Sequence, residues 1–545
     1  MRRQQTFQLL THQMKSKTHR TALGIKSLIS LLLATGIVIG NAATTWYVSP
    51  SGNDANSGLS WGVAKQTVQA AVNLTANNDT VLVTNGVYSL TAPVTVTNVI
   101  LLTSVNGAEA TILDGQQIAR CVRINGSAAT LNGFTLRNGR AINGGGIYCN
   151  GGTIQNCVLT SNQAIGSDVS DGSGGGAYVA YGTMSNCVAY ANTAQTTNDY
   201  QTAWGGGVYS YGSVLQSCVV SNNLCTGYNA NGGGVTLVGG TLRNSRVAGN
   251  SAVALEYASG GGGYATILQL SVSSFIEACI ITNNSVTTTD TYVYTAASAS
   301  GGGLYIGSGT DVRSTLIAGN FAHSAAGFTS GGGVWTSGSI LENCTVAYNT
   351  ATTQNGNAGS GGGVIWGYND QCYNNLVKLN TAGNGADNSE VNILSYPMFF
   401  NSDIGATVPP SNQINCISVD PLFVNAGGGD FRLQSGSPCR DAGTNLIWMT
   451  GAFDLGGNSR IIGGKGDIGA YEYVAASPPV LTVNRSGGSI VLSWPTNASG
   501  FALWWTTNLP ATNWTSNAVP PTVLNGQYTT ADTTAGVRKF YRLSK

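Results

Sequence analysis

One column of aromatic residues stands out as a group that could bind a ligand. The chain carries eight degenerate repeats of about thirty residues, each opening with Gly-Gly-Gly, and a ring follows the glycines in most of them. Rings at strand spacing could offer a flat stripe to the sugar rings of a glycan. The alternative is that the rings stack on one another and only stabilise a sheet. The column consists of Tyr148, Tyr178, Tyr209, Tyr264, Tyr305 and Trp335, with Thr236 and Ile365 as exceptions.

The loops before the glycine runs carry a second set of candidates. Stacked repeats gather such loops on one edge, where repeat proteins commonly bind. Tyr200 and Trp204 in these loops complete the predicted glycan-binding set. Loop carboxylates could bind Ca²⁺, since they are hard oxygen ligands, or could be solvated acids only, so Ca²⁺ is a possible cofactor and none is certain. These acids are Asp168, Asp171, Asp199, Glu256 and Asp290.

Motifs for cleaving a polysaccharide are weak. A hydrolase needs two closely placed carboxylates, and the chain has no Asp-Asp pair, while His323 is its one histidine beyond the first twenty residues. A β-elimination lyase needs a Lys or Arg base with a lowered pKa, plus acids or calcium. Lys378, Arg246 and Arg313 fall on predicted strands, but none has an acidic cluster near it in sequence. The catalytic residues and any metal ligands therefore stay unassigned.

The repeats themselves predict the scaffold that positions these groups. Each repeat holds short alternating runs separated by turns, which favours parallel β-strands stacked as a solenoid. One column of small residues is predicted to face the interior: Cys157, Cys187, Cys218, Ser245, Cys279, Thr315, Cys344 and Asn375. An unbroken column of asparagines predicts a stacked amide ladder: Asn162, Asn192, Asn223, Asn250, Asn284, Asn320, Asn349 and Asn380.

A charged column should face outward near a bend. An apolar residue recurs three positions before the Cys column. Because three is an odd step, the alternation of inward and outward side chains must break there. The position after it carries Arg243, Glu277, Arg313 and Glu342, whose signs alternate from rung to rung. We expect a cross-strand charge ladder that fixes register, with ligand contact as the alternative. Cys149, Cys225 and Cys372 are also predicted to face inward. Among the remaining cysteines, Cys416 and Cys439, which lie outside the repeats, are a possible disulfide pair.

The N-terminal segment predicts export. Residues 1–43 contain six basic residues, no acid, an apolar run from Leu28 to Ile39 and small residues at a cleavage site, which is typical of a secretory signal. The apolar run is short for a membrane span, so no span is expected after cleavage. The remaining chain keeps 18 Lys and Arg against 23 Asp and Glu, so nucleic acid is an unsuitable partner.

The predicted fold class is all-β, a right-handed parallel β-helix solenoid followed by a small β-sandwich. The predicted organisation is a signal peptide at 1–43, an N-terminal cap with the first rungs at 44–143, eight GGG repeats at 144–382, a C-terminal closing region at 383–476 and a sandwich at 477–545.

Several segments resemble known families. The GGG element with apolar-x-x-Asn, as in Leu159 to Asn162, resembles the repeats of polymorphic outer membrane proteins. Tyr47 to Asp54 resembles the start of bacterial pectate-lyase-like β-helix proteins, and Asp420 to Phe423 with Ser437 to Gly443 resembles the choice-of-anchor Q domain. The C-terminal segment resembles fibronectin type III-like modules. The resemblance implies adhesins, wall-associated proteins or polysaccharide-active enzymes, without choosing among them.

Two functions follow as hypotheses. The first is a non-catalytic, adhesin-like protein, secreted or at the cell surface, that binds an extracellular polysaccharide or a cell-surface component through the aromatic stripe and the loop edge. The alternative is a polysaccharide lyase or glycoside hydrolase of the pectate-lyase-like superfamily.

Overall fold

The protein is described by a computed structural model. The structure describes residues 42–545 except 168, 198–199, 268–271, 292–296, 355–360, 368, 384–390, 394–397, 406–407, 409, 476–478, 487–488, 496–500, 512, 518–519, 525–526, 534–537 and 545. The predicted signal segment, apart from its last two residues, lies outside this part, as do Asp168 and Asp199. None of the helices in the described part is long and apolar enough to cross a membrane.

Three long parallel sheets form the body of the molecule, so the predicted parallel β-helix is confirmed. Sheet A has 23 strands among the described residues: Thr45–Val48, Thr80–Val83, Val94–Val96, Leu101–Ser104, Val122–Asn125, Thr130–Asn132, Ile147–Asn150, Thr153–Gln155, Ala177–Ala180, Thr183–Ser185, Val208–Gln216, Val235–Arg243, Gly263–Thr266, Ser274–Glu277, Leu304–Ile306, Thr310–Arg313, Val334–Thr336, Ile340–Glu342, Val364–Trp366, Gln371–Tyr373, Val391–Ile393, Met398–Phe400 and Gln413–Ile414.

Sheets B and C complete each coil. Sheet B consists of Gly86–Ser89, Thr111–Asp114, Thr135–Arg137, Val158–Thr160, Val188–Tyr190, Val219–Ser221, Arg246–Ala248, Ile280–Thr282, Leu316–Ala318, Thr345–Ala347 and Leu376–Lys378. Sheet C consists of Arg140–Ala141, Gln163–Ile165, Gly172–Ser173, Thr193–Gln195, Thr202–Trp204, Leu224–Asn231, Ser251–Ser259, Ser285–Thr288, Ser298–Ser300, Phe321–Ser324, Phe328–Ser330, Thr350–Thr353 and Thr381–Ala382.

The bends between sheets explain the repeat pattern. Between sheets A and B a residue such as Asn156 takes a left-handed φ of 53°, which breaks the alternation where the sequence predicted a break. The coil returns to sheet A through the glycine run: Gly144 has a φ of +63°, and a Cβ on Gly145 would lie 2.3 Å from the carbonyl oxygen of Gln163. The repeat therefore requires glycine for both conformation and space.

The interior columns are confirmed. Every described cysteine except Cys416 is buried, and all are free thiols. The asparagine ladder also forms: Asn162 Nδ2 and its backbone N–H both donate to Asn192 Oδ1, at 2.9 and 3.1 Å. The same two bonds recur from Asn192 to Asn223 and onward to Asn380. The ladder satisfies amide groups that are buried between sheets B and C.

Short helical turns and a short helix lie at the N-terminal end and in the C-terminal part. The α-helix Val68–Val72 buries Val68, Ala71 and Val72 against the first rungs. The 3₁₀ turns are Trp61–Val63, Pro410–Asn412, Ala426–Gly428 and Ile447–Met449.

The segment 420–473, which we expected to close the open end, packs along the outside of sheet B. Phe431 and Ile468 from this segment form one apolar cluster with Leu376 of sheet B. It contains a two-stranded antiparallel sheet of Phe423–Asn425 and Asp430–Leu433. Cys439 belongs to this outer cluster, whereas Cys416 packs against the helix interior, so the possible disulfide between them is absent.

Two antiparallel sheets form the C-terminal module, as expected for a small sandwich. They consist of Thr482–Ser486, Ser489–Pro495, Gln527–Thr533 and Thr522–Leu524 in sheet D, and of Thr515–Ser516, Ala502–Thr506 and Phe540–Ser544 in sheet E. Leu492, Trp494 and Leu503 are buried between them.

Candidate functional site

The structure brings the predicted aromatic stripe together on the outer face of sheet A. Parallel register places Tyr148 beside Tyr178 and Tyr178 beside Tyr209. Their rings stack with centroids 5.1 and 4.8 Å apart. A second stack joins Tyr264 to Tyr305 at 4.9 Å and Tyr305 to Trp335 at 4.2 Å.

Trp204 joins the second stack. Its ring meets the ring of Tyr264 edge-on, with centroids 5.5 Å apart. Asp171 holds it there, because Trp204 Nε1 donates to Asp171 Oδ2 at 2.9 Å and the Thr202 N–H donates to the other carboxylate oxygen. Asp171 thus has a structural role that the sequence did not predict.

Tyr200 lies apart from the stripe. It is exposed on a loop and its ring contacts Tyr228, with centroids 5.3 Å apart. The two loop aromatics that the sequence grouped together therefore belong to different surfaces.

Stacking changes what the stripe can offer to a sugar. The neighbouring rings cover each other's faces, so edges rather than faces point outward. Burial raises the pKa of Tyr178, Tyr209 and Tyr305, which keeps their phenols neutral. A pyranose needs an open aromatic face for stacking, and the middle of this stripe presents ring edges instead.

A groove runs beside the stripe where sheet C turns into sheet A. Tyr305 and Trp335 line one side of a cavity of about 270 Å³, and Tyr257 lines the other. The floor carries Ser259, Ser300 and Ser330, which pair in register on successive rungs. We call this the serine groove; its hydroxyls can both donate and accept hydrogen bonds.

A larger concave surface lies on another corner, between the bend of sheets A and B and the segment 420–473. Two adjoining cavities of about 750 and 380 Å³ share Arg246 and Ile280 in their walls. We call them together the charged trench. The first contains Arg243, Glu277 and Asp454, and the second contains the aromatic residues Tyr348, Phe431 and Tyr471.

The predicted charge ladder is in register but pairs only in part. Arg243, Glu277, Arg313 and Glu342 are successive partners in sheet A. Arg313 Nε lies 2.7 Å from Glu342 Oε2, whereas Arg243 Nη2 donates to Gln216 at 2.6 Å. Glu277 takes part in no ion pair among the described residues. It is the trench carboxylate left available to a ligand.

Asp454, by contrast, is committed to the fold. Its carboxylate accepts from the N–H of Asn458, the side-chain amide of Asn458 and the N–H of Glu472, at 2.6, 3.2 and 2.7 Å. These donors shape the loop that forms one wall of the trench. The trench therefore offers one open carboxylate rather than two.

A fully buried ion pair anchors that wall. Arg460 Nη2 lies 2.8 Å from Glu472 Oε1 and also donates to the carbonyl oxygens of Asp467 and Gly469. Burial raises the pKa of Glu472 to about 8, although Arg460 acts in the opposite direction. The pair joins two parts of the C-terminal third of the segment that covers sheet B.

The other polar candidates have structural partners or lie outside the described residues. Lys378 lies 3.1 Å from Asp403, and His323 Nδ1 lies 3.0 Å from Thr352 Oγ1. Within the described residues, no three His, Cys, Asp or Glu side chains come together as a metal site would require. The Ca²⁺ site stays a prediction.

Comparison with known proteins yields structural likeness only. Neither a family model nor a curated protein matches the chain. A structure described as pectate lyase Pel9A is 16% identical, and the match covers 79% of this chain and 97% of that chain with a TM-score of 0.40. A rhamnogalacturonan lyase is 13% identical, with 70% and 91% covered and a TM-score of 0.27.

A third solved structure is a GH136 lacto-N-biosidase from Eubacterium ramulus. It is 11% identical, with 69% of this chain and 67% of that chain covered and a TM-score of 0.24. Likeness of this degree assigns no function to the chain. The parallel β-helix is established by the strand pairing described above.

Proposed function

We propose that this is an exported, carbohydrate-active β-helix protein that binds an acidic polysaccharide in the charged trench. The observation that carries the proposal is the placement of Arg243 and Arg246 beside the unpaired carboxylate of Glu277. Guanidinium groups bind carboxylates with two parallel hydrogen bonds, and a pyranose is about as long as one rung is high. A uronate chain along the helix axis would meet both kinds of group.

The same groups suit β-elimination better than hydrolysis. Hydrolysis needs two carboxylates, and Asp454 is already occupied by three donors. In elimination, Arg246 would neutralise the uronate carboxylate, and Glu277 would accept the proton from the adjacent ring carbon. The glycosidic C–O bond then breaks, a C=C bond forms in the ring, and the departing oxygen takes a proton from water.

The test is an assay for new unsaturated chain ends. Polygalacturonate and its fully methyl-esterified form would be incubated with the mature protein, with and without calcium. We expect absorbance from unsaturated ends with the free acid, and a loss of about a hundred-fold with Glu277→Gln, as for a general base. Asp532→Asn in the C-terminal module is the control. New reducing ends without unsaturation would replace elimination by hydrolysis, and no new ends would reject cleavage.

The second candidate is non-catalytic glycan binding, the first hypothesis from the sequence, which we assign here to the serine groove instead of the aromatic stripe and the loop edge. The observation that favours it is the row of Ser259, Ser300 and Ser330 beside the ring edges of Tyr305 and Trp335. The lyases and the biosidase named above accord with the enzymatic candidate rather than with an adhesin-like protein. The two candidates depend on different surfaces, the charged trench and the serine groove.

Retention on immobilised neutral glycans separates the two candidates. Binding through the serine groove should be lost when Ser300 is replaced by Ala, because Ala removes the hydroxyl and adds no atoms to the site. Ser285→Ala, on another part of sheet C, is the matched control. Retention that Ser300→Ala leaves unchanged would reject the groove.

A further inference from the structure

The C-terminal module differs in charge from the rest of the chain. Residues 477–545 contain five Lys and Arg and a single acid, Asp532. Residues 44–476 contain 13 Lys and Arg against 22 Asp and Glu. Asp532 is occupied within the module, because Lys539 Nζ and the Tyr541 hydroxyl donate to it at 2.7 and 2.8 Å. The arginines of the module therefore keep an uncompensated positive charge.

Two of these arginines lie on an aromatic face of sheet E. Leu503 is buried in the module core, so its strand neighbour Trp504 faces outward, and register pairs Trp504 with Arg542. The Arg542 guanidinium lies 4.2 Å from the ring centroid of Trp514. Arg538 lies 5.9 Å from the ring of Phe540. Both guanidinium groups are exposed beside half-buried rings.

We propose that this aromatic–basic face, formed by Trp504, Trp514, Phe540, Arg538 and Arg542, binds an anionic polysaccharide. Ring surfaces suit the apolar faces of sugars, and the arginines suit carboxylate or sulfate groups. The module then acts as a tether that holds a polymer independently of the trench. The proposal does not rest on cleavage in the trench.

A polysaccharide fits this face better than a lipid surface. Membrane-inserting aromatics protrude so that they reach the acyl boundary. Here the rings of Trp504, in sheet E, and Trp514, just before a strand of that sheet, are half-buried, and both lie beside Arg542. The face is a platform that an extended chain can lie across.

The test uses affinity electrophoresis of the full mature chain carrying Arg246→Gln, so that the trench does not contribute. Gels contain dextran, carboxymethyl-dextran or dextran sulfate, which share one backbone. We expect retardation by one or both charged polymers and none by dextran. Arg538→Gln with Arg542→Gln should weaken it about ten-fold. Arg485→Gln, a charge loss on sheet D, should change it less than about two-fold.

Trp504→Ala with Trp514→Ala tests the rings, and thermal unfolding shows whether this variant folds. If it does not fold, the arginine pair decides the outcome. Equal retardation by dextran would overturn the proposal. So would an Arg485→Gln effect as large as that of the arginine pair, since binding would then follow net charge alone. Binding to vesicles of phosphatidylserine and phosphatidylcholine that exceeds polymer binding, and depends on Arg542, would replace the polysaccharide by a membrane.

Discussion

The aromatic stripe and the charge ladder both arise from parallel register, but they differ in what they leave available to a ligand. In each, parallel register repeats a side chain on successive rungs. The rings stack on one another, with centroids as close as 4.2 Å for Tyr305 and Trp335, so neighbouring rings cover their faces. The ladder pairs Arg313 with Glu342 but leaves Glu277 without an ion-pair partner among the described residues. A column of like rings stabilises itself, whereas an incompletely paired charge column leaves groups for a ligand.

The covering segment explains where the ladder stays open. The turn Ile447–Met449 places the ring of Trp448 with its centroid 5.4 Å from the Arg313 guanidinium. At Arg243 and Glu277 the segment instead lines an open trench. Substitutions should separate the groups that stabilise the fold from the groups that are free to bind a ligand.

Breaking the buried pair should give the largest effect. Above about pH 8, where Glu472 is ionised, Arg460→Met leaves its carboxylate buried without a partner, which costs about 3–5 kcal/mol. Denaturant unfolding at about pH 9, followed by tryptophan fluorescence, measures the loss. Arg460→Met with Glu472→Leu should recover most of it, because both charges are then removed. A single variant as stable as the parent would show that the pair does not anchor the trench wall.

The same pair predicts a dependence on pH. Burial raises the pKa of Glu472 from an ordinary 4.5 to about 8, so the folded segment binds a proton that the unfolded chain releases. This contribution to stability is complete below about pH 4.5 and is lost as pH rises to about 8. Unfolding midpoints measured from pH 5 to 8 should fall, and Glu472→Gln should flatten the slope. An unchanged slope in that variant would assign the dependence to other groups.

The stripe should respond to loss of a central ring. Tyr305→Ala removes stacking on both sides, and with the lost apolar area it should cost about 2 kcal/mol. Tyr190→Ala, an exposed tyrosine on sheet B, is the control and should cost less than about 0.5 kcal/mol. Equal effects of the two substitutions would mean that stacking contributes little.

Asp171 should make a smaller contribution to the same surface. Asp171→Ala removes the acceptor of Trp204 Nε1 and of the Thr202 N–H, and should cost about 1 kcal/mol. It should also weaken the binding of any neutral glycan along the stripe, because Trp204 is then no longer held against Tyr264. Glu256→Gln, on the strand Ser251–Ser259 of sheet C, is the comparison. A larger effect from Glu256→Gln would contradict the role given to Asp171.

The sequence predicts columns of side chains that repeat from rung to rung. It does not predict surfaces formed by segments that are distant in the chain. The repeats were sufficient to predict the Asn ladder, the buried thiols and the outward rings, because each depends on neighbouring rungs. The trench needs Asp454 and Phe431 to fold back onto Arg246 and Ile280, and no periodicity links those segments. Arg246 has no acidic neighbour in sequence, because the acids that line the trench with it are distant in the chain or on the next rung. The position of Trp204 likewise depends on Asp171, one rung earlier.

The smallest expected effect on stability is the most informative. Glu277 has no ion-pair partner among the described residues, so Glu277→Gln should leave the free energy of unfolding within about 0.5 kcal/mol while lowering any cleavage about a hundred-fold. Glu342 accepts from Arg313 at 2.7 Å, so Glu342→Gln should cost about 1 kcal/mol and leave activity intact. Unfolding curves and chain-end assays on both variants test this opposition. If Glu277→Gln destabilised the protein as much as Glu342→Gln, the ladder would be one structural unit throughout, and the trench would lose its available carboxylate.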